Sequence, residues 1–149
     1  MRLVVQRVDK ASVSVTDQII SSIGTGLLVF LGIEKGDRKE DADALLEKAV
    51  NLRIFEDGEG KMNLSLLDVA GGMLVVSQFT LLGDCRKGRR PSFTRAEDPI
   101  AAKALYQYFI TKAAEKVNPV AAGEFQAMMK VALVNDGPVT MLLDSNKIF

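Results

Sequence analysis

The feature that most constrains this chain of 149 residues is Gly26–Ile33, eight consecutive positions without a polar side chain. A strand with one face in water alternates apolar and polar residues. This run offers water neither face, so it reads as a buried strand. It falls far short of the roughly 20 residues needed to span a bilayer. Upstream, Met1-Arg2-Leu3-Val4-Val5-Gln6-Arg7 is interrupted by charge too early for a secretory signal, and the expectation is a soluble, cytoplasmic protein.

Other segments build around that strand. Leu3, Val5 and Val8 open an apolar series that Val13 and Val15 continue with period two, and strand character resumes over Ile19–Ile23 after the turn-like Thr16-Asp17-Gln18. Spacings this short fit hairpins, so this part of the sheet is expected to be antiparallel. Asp37 is placed to cap a first helix, with Glu40 three residues on and Ala42, Leu45, Leu46, Ala49 and Leu52 on one face. A second helix starts with Asp98 as cap and Pro99 at the first helical position. It carries the stripe Leu105, Tyr108, Phe109, Ala113 and Val117, and stops at Asn118-Pro119. Between the helices, Glu56–Lys61 is acidic but lacks calcium-loop spacing and reads as a hairpin-type loop. Phe125, Ala127, Met129, Val131 and Leu133 alternate as a strand, with Met128 and Met129 taken as core or interface filler. Asn135–Pro138 interrupts that strand and Val139–Leu143 forms a last one. The sum is a single α+β domain over residues 1–149, with a mainly antiparallel or barrel-like sheet and two principal helices.

Composition narrows the chemistry. The chain has no histidine, which removes Ser-His-Asp and Cys-His catalysis and every histidine-ligated zinc site. Its one cysteine, Cys85, allows neither an internal disulfide nor a thiolate metal cage. No metal or organic cofactor is indicated. Nineteen basic residues balance nineteen acidic ones, which argues against wrapping nucleic acid by bulk charge. Any enzymatic base is therefore a carboxylate, a lysine, or a group the substrate brings.

Three places offer chemistry. Ser77-Gln78-Phe79-Thr80-Leu81 follows the apolar strand Met73–Val76 and puts two hydroxyls and an amide at a strand mouth. A serine there is also an ordinary local hydrogen-bonder, and the Gly-x-Ser-x-Gly elbow is absent. Residues 86–95 carry five positive charges and no negative one, leaving 14 basic against 19 acidic in the remaining 139. Arginine's planar fork suits phosphate, and an exposed loop paired with nearby acids is the alternative. Gly137-Pro138 lies between apolar strands, where proline cannot donate to a ladder; it marks an edge, bulge or special turn.

Taken together, Met1–Val8, Ser77–Leu81, Lys87-Gly88-Arg89-Arg90-Pro91-Ser92-Phe93 and Leu133-Val134-Asn135-Asp136-Gly137-Pro138-Val139-Thr140 resemble the D-aminoacyl-tRNA deacylases of the bacterial and eukaryotic type, over essentially the full length and with no departure within these motifs. The resemblance implies a homodimer that hydrolyses the ester between a D-amino acid, or glycine, and the 3′ end of tRNA. It implies no DNA or membrane partner. It makes Gly137 and Pro138 a chiral screen with a cis bond, reaching into the partner's site. Ser77, Gln78, Phe79 and Thr80 then line the pocket for the aminoacyl-adenosine. Thr80 stands as a possible nucleophile, Gln78 with backbone N–H groups as oxyanion donors, and Arg89 and Arg90 as phosphate contacts. Two rivals stay open: a paralogous deacylase with a trans Gly-Pro that tolerates L-alanine, and a non-catalytic RNA-binding module using the basic loop alone.

Overall fold

In the computed structural model, which describes residues 1–148, the order along the chain is β1 (Arg2–Val15), β2 (Gln18–Ile23), β3 (Gly26–Gly32), α1 (Lys39–Asn51), β4 (Phe55–Glu56), β5 (Met62–Leu64), β6 (Gly72–Ser77), a one-turn 3₁₀ helix (Phe79–Leu82), α2 (Pro99–Ala114), β7 (Val120–Ala122) and β8 (Lys130–Asp144). β1 organises the sheet. Its first half pairs antiparallel with β3, from Arg2↔Gly32 to Val8↔Gly26, and its second half pairs antiparallel with β2. β8 runs antiparallel along its other edge. The continuation β3–β6–β7 is parallel, as the crossover through α1 requires. The expected class holds: one α+β domain with a barrel-like sheet and two helices. The parallel pairs are an addition, because short β7 shows no alternation of its own.

The apolar run of β3 is buried on both faces. Leu27, Val29 and Leu31 join Met73 and Val75 of β6 in the core under the helices, with Leu46, Ala49 and Phe109. Leu28, Leu74 and Val76 point the other way and meet Val8, Ala11 and Val13 of β1. Two cores share one pair of central strands. At about 25 cal/mol per Å² of apolar surface, each such side chain contributes roughly 1.5–3 kcal/mol. β3 and β6 start so close together that a Cβ on Gly26 would stand 1.9 Å from the Gly72 carbonyl oxygen.

Some boundaries differ from expectation. Asp37 does not cap α1. Arg38 is the N-cap, its N–H bonded to the Asp41 carboxylate at 2.8 Å. Asp37 instead accepts from the buried Met1 ammonium at 2.5 Å and from Glu34 N–H at 2.6 Å, and burial pushes its carboxyl above its ordinary range. α2 begins as read, with the Asp98 carboxylate accepting from Ile100 and Ala101 N–H, but its buried residues are Tyr106, Phe109 and Ala113. β4 and β5 form the expected hairpin around Glu56–Lys61. Residues 125–129 are not a strand, and Met128, read as core or interface filler, is 92% exposed and so lies outside the core. β8 runs straight through Asn135–Pro138 as one strand with a bulge.

Candidate active site

β6 is held on both sides, so its end is a rigid place to mount side chains. It delivers Ser77, and the chain then turns: Gln78 N–H donates to Leu31 C=O at 2.8 Å, and Arg2 Nη1 donates to Leu81 C=O at 2.9 Å. Gly32 lets the turn sit down, since a Cβ there would lie 3.0 Å from the Gln78 carbonyl oxygen. The result is a cavity of about 560 Å³ at the mouth of the barrel. Ser77, Gln78 and Phe79 form one wall, and Phe125–Met129 forms the facing one. Leu31, Ile33, Val76 and Val131 give it an apolar floor, and Ala96–Glu97 with Pro99 closes the rim.

Of the residues read as site candidates, Ser77, Gln78 and Phe79 come together here. Thr80 does not line the cavity; it is exposed, and its Oγ1 accepts from the Gln78 side-chain amide. Phe79 is 56% exposed and meets Phe93 of the basic loop edge-on, ring centroids 5.1 Å apart. Among the described residues, the one ionisable side chain lining the cavity is Glu97, whose oxygens already accept from Asp98 N–H at 2.9 Å and Gly36 N–H at 3.3 Å. Among the described residues no cluster of histidine, cysteine or carboxylate side chains could hold a metal ion.

The basic loop is less free than its charge count implies. Arg86 donates to both Asp84 oxygens, at 2.9 and 2.6 Å, and its guanidinium holds the Asp84 carboxyl well below the usual carboxylate range. Arg95 is bound to Glu34 at 2.6 Å. Lys87, Arg89 and Arg90 stay exposed, and among the described residues no carboxylate pairs with them.

Gly137 and Pro138 lie elsewhere. They sit in the β8 bulge, where four residues, Asp136–Val139, stand opposite Arg7 alone between the pairs Gln6↔Thr140 and Val8↔Asn135. The peptide between them is cis, and neither residue lines the cavity. Asn135 Nδ2 draws the bulge shut by donating to Arg7 C=O at 2.8 Å and Val139 C=O at 3.0 Å. Beneath it runs Arg7, 4% exposed, ion-paired to Asp136 at 2.7 Å and donating to Ile54 C=O at 2.5 Å. Gly137 has φ +108°, and a Cβ there would stand 2.6 Å from Arg7 Nη2. Arg7 went unread in the sequence, although the signal is present: it occupies the inward phase set by Leu3 and Val5, both 0% exposed, where a charge needs partners.

Positions 4–144 match the family described as D-Tyr-tRNA(Tyr) deacylase. The D-aminoacyl-tRNA deacylase of Syntrophus aciditrophicus is 70% identical over 149 residues, all of both chains, and that of Petrotoga mobilis is 61% identical, again across the whole of both. A solved structure of a c-Myc DNA unwinding element binding protein superposes with a TM-score of 0.92 at 40% identity, covering 97% of this chain and 98% of that one.

Proposed function

This chain belongs to the D-aminoacyl-tRNA deacylase family and is a hydrolase of that kind, and from that premise we propose how its site works. The 560 Å³ cavity receives the aminoacyl-adenosine end of tRNA. Water adds to the ester carbonyl, the bond to the ribose 3′-oxygen breaks, and the water's proton ends on that oxygen. Gln78 and backbone N–H groups of the turn stabilise the developing oxyanion. The neighbouring 2′-hydroxyl of the ribose activates the water.

The observation that carries this reading is that, among the described residues, a single ionisable side chain lines the cavity and it is already hydrogen-bonded. Glu97 has both oxygens engaged by backbone N–H groups, and Thr80 has only an amide donor beside it. An unaided hydroxyl is a weak nucleophile, so the substrate's own hydroxyl is the better placed group.

Selectivity is assigned to Gly137 and Pro138 of a second copy in a homodimer. All L-amino acids share one handedness at Cα, so a filter must reject a direction rather than a side chain. Rigid main-chain carbonyls do this by holding the amino group and leaving an L side chain against a wall. Glycine has no side chain to reject, so glycyl-tRNA is also hydrolysed. A single chain is incomplete on this reading, because its bulge does not line its own cavity. Arg89 and Arg90 hold acceptor-end phosphates. The test is D-aminoacyl-tRNA against its 2′-deoxy form, beside Thr80→Ala. Normal hydrolysis of the deoxy ester with a folded but dead alanine variant would overturn the substrate-assisted step.

A further inference from the structure

The two long walls of the cavity part at one point, and a buried hydroxyl stands there. β6 and β7 pair as far as Val75↔Ala122, and the last bond between them runs from Gly123 N–H to Val75 C=O at 2.9 Å. Beyond that fork, Ser77 leads into the 3₁₀ turn while residues 123–129 swing away as the opposite wall. Tyr106, on α2, puts its hydroxyl 2.9 Å from the Val75 carbonyl oxygen and 3.0 Å from that of Gly123. The residue is 3% exposed, and its ring lies against Phe125 with centroids 5.7 Å apart.

We propose that Tyr106 is a positioning residue of the active site, fixing where the wall 123–129 leaves the sheet and so the width of the cavity between Phe125 and Ser77–Phe79. The hydroxyl's one proton lies between two carbonyls, one on each branch of the fork, and this shared bond braces the root where Gly123 N–H also reaches Val75 C=O. Burial pushes the phenol up to about 12, which keeps it a neutral donor at working pH.

The wall depends on this tie because it has few others. Among the described residues no strand pairs with 124–129, and the wall's other backbone bond is Ala127 N–H to Glu124 C=O at 3.2 Å. Met129 Sδ rests where Gly123 lacks a side chain, 2.7 Å from a Cβ built there, so the wall folds back on the same root. The facing turn is anchored independently through Leu31 C=O and Arg2. Losing the hydroxyl should therefore loosen one wall and leave the other in place.

The kinetic consequence rests on the function proposed above; the positional one does not. Tyr106→Phe keeps the ring and removes only the hydroxyl. For D-aminoacyl-tRNA, kcat/KM should fall roughly tenfold, nearly all of it in KM, with kcat within about twofold. Amide hydrogen exchange should quicken at Gly123 and Ala127, the wall amides that donate to carbonyls, and stay unchanged at Gln78 and Leu81 of the facing turn. Phe125→Ala should reproduce the KM effect, and adding Tyr106→Phe to it should change little more, since both act through one wall. A fall in kcat at constant KM, or exchange rising evenly through β3 and β6, would overturn the proposal. If the unaltered protein hydrolyses no aminoacyl-tRNA, the functional reading fails, while the exchange pattern still decides the role of Tyr106.

Discussion

The 3₁₀ turn after Ser77 and the bulge at Gly137-Pro138 are both short irregular segments rich in backbone polar groups, yet the turn borders the cavity and the bulge does not. The turn grows from β6, a strand buried on both faces, and opens into an apolar cavity. The bulge hangs from β8, which among the described residues pairs with β1 alone, and is propped from below by one buried arginine. The difference teaches a division of labour. A segment rooted in a doubly covered strand can shape a pocket for its own chain, whereas the segment lifted off an edge leaves that pocket unlined.

Four measurements bear on that contrast. Replacing the substrate's 2′-hydroxyl by hydrogen should lower kcat at least 100-fold in single-turnover assays, while Thr80→Ala should cost less than about tenfold, because the turn supplies shape and donors rather than a base. Next, Gly137→Ala places a Cβ 2.6 Å from Arg7 Nη2 at a φ that L-residues rarely adopt. D-aminoacyl-tRNA hydrolysis should drop about 100-fold, with thermal melting showing a folded protein and binding at the cavity retained.

A smaller effect is expected at the basic loop. Arg89→Gln with Arg90→Gln should weaken tRNA binding several-fold and reduce the slope of log K against log salt by about 1–2. Arg86→Gln should leave that slope nearly unchanged, since Arg86 is already bound to Asp84. An equal loss from all three would show that the ion pair does not hold in solution.

The smallest effect concerns stability. The phenol of Tyr106 titrates near 12 in the folded chain and near 10 when unfolded, so the folded state holds the proton more tightly. Its contribution, at most ~2–3 kcal/mol, is fully present below pH 10 and lost as pH rises through 12. Denaturant melts of Tyr106→Phe and the unaltered protein should converge over that interval, and parallel curves would count against it.

Much of this architecture is written locally. The two-faced burial of β3 follows from Gly26–Ile33 having no polar phase, and the start of α2 follows from Asp98-Pro99. The facing wall was misread for a physical reason. Phe125, Ala127 and Met129 alternate as a strand would, but β7 ends at Ala122 and β1 ends at Val15, opposite the start of β8, so nothing remains to pair with them. Gln126 then takes φ +64° and the segment becomes a wall. The break expected at Asn135–Pro138 also depends on distant groups. Asn135 spans the bulge and Arg7 fills its underside, so β8 continues on both sides. For the site, Ser77–Phe79 were legible as a strand-end motif, while Arg7 and Tyr106 act through residues far away in sequence.

The central claim is that pocket and screen come from different chains, and mixed dimers test it most directly. Gln78→Ala damages the pocket and Gly137→Ala damages the screen, so each variant alone should be nearly inactive on D-aminoacyl-tRNA. Unfolded together and refolded as a mixture, the two should regain about a quarter of normal activity, because half the dimers hold one site with both parts intact. A mixture no more active than its components would contradict the account, since it would place both parts of every working site on a single chain.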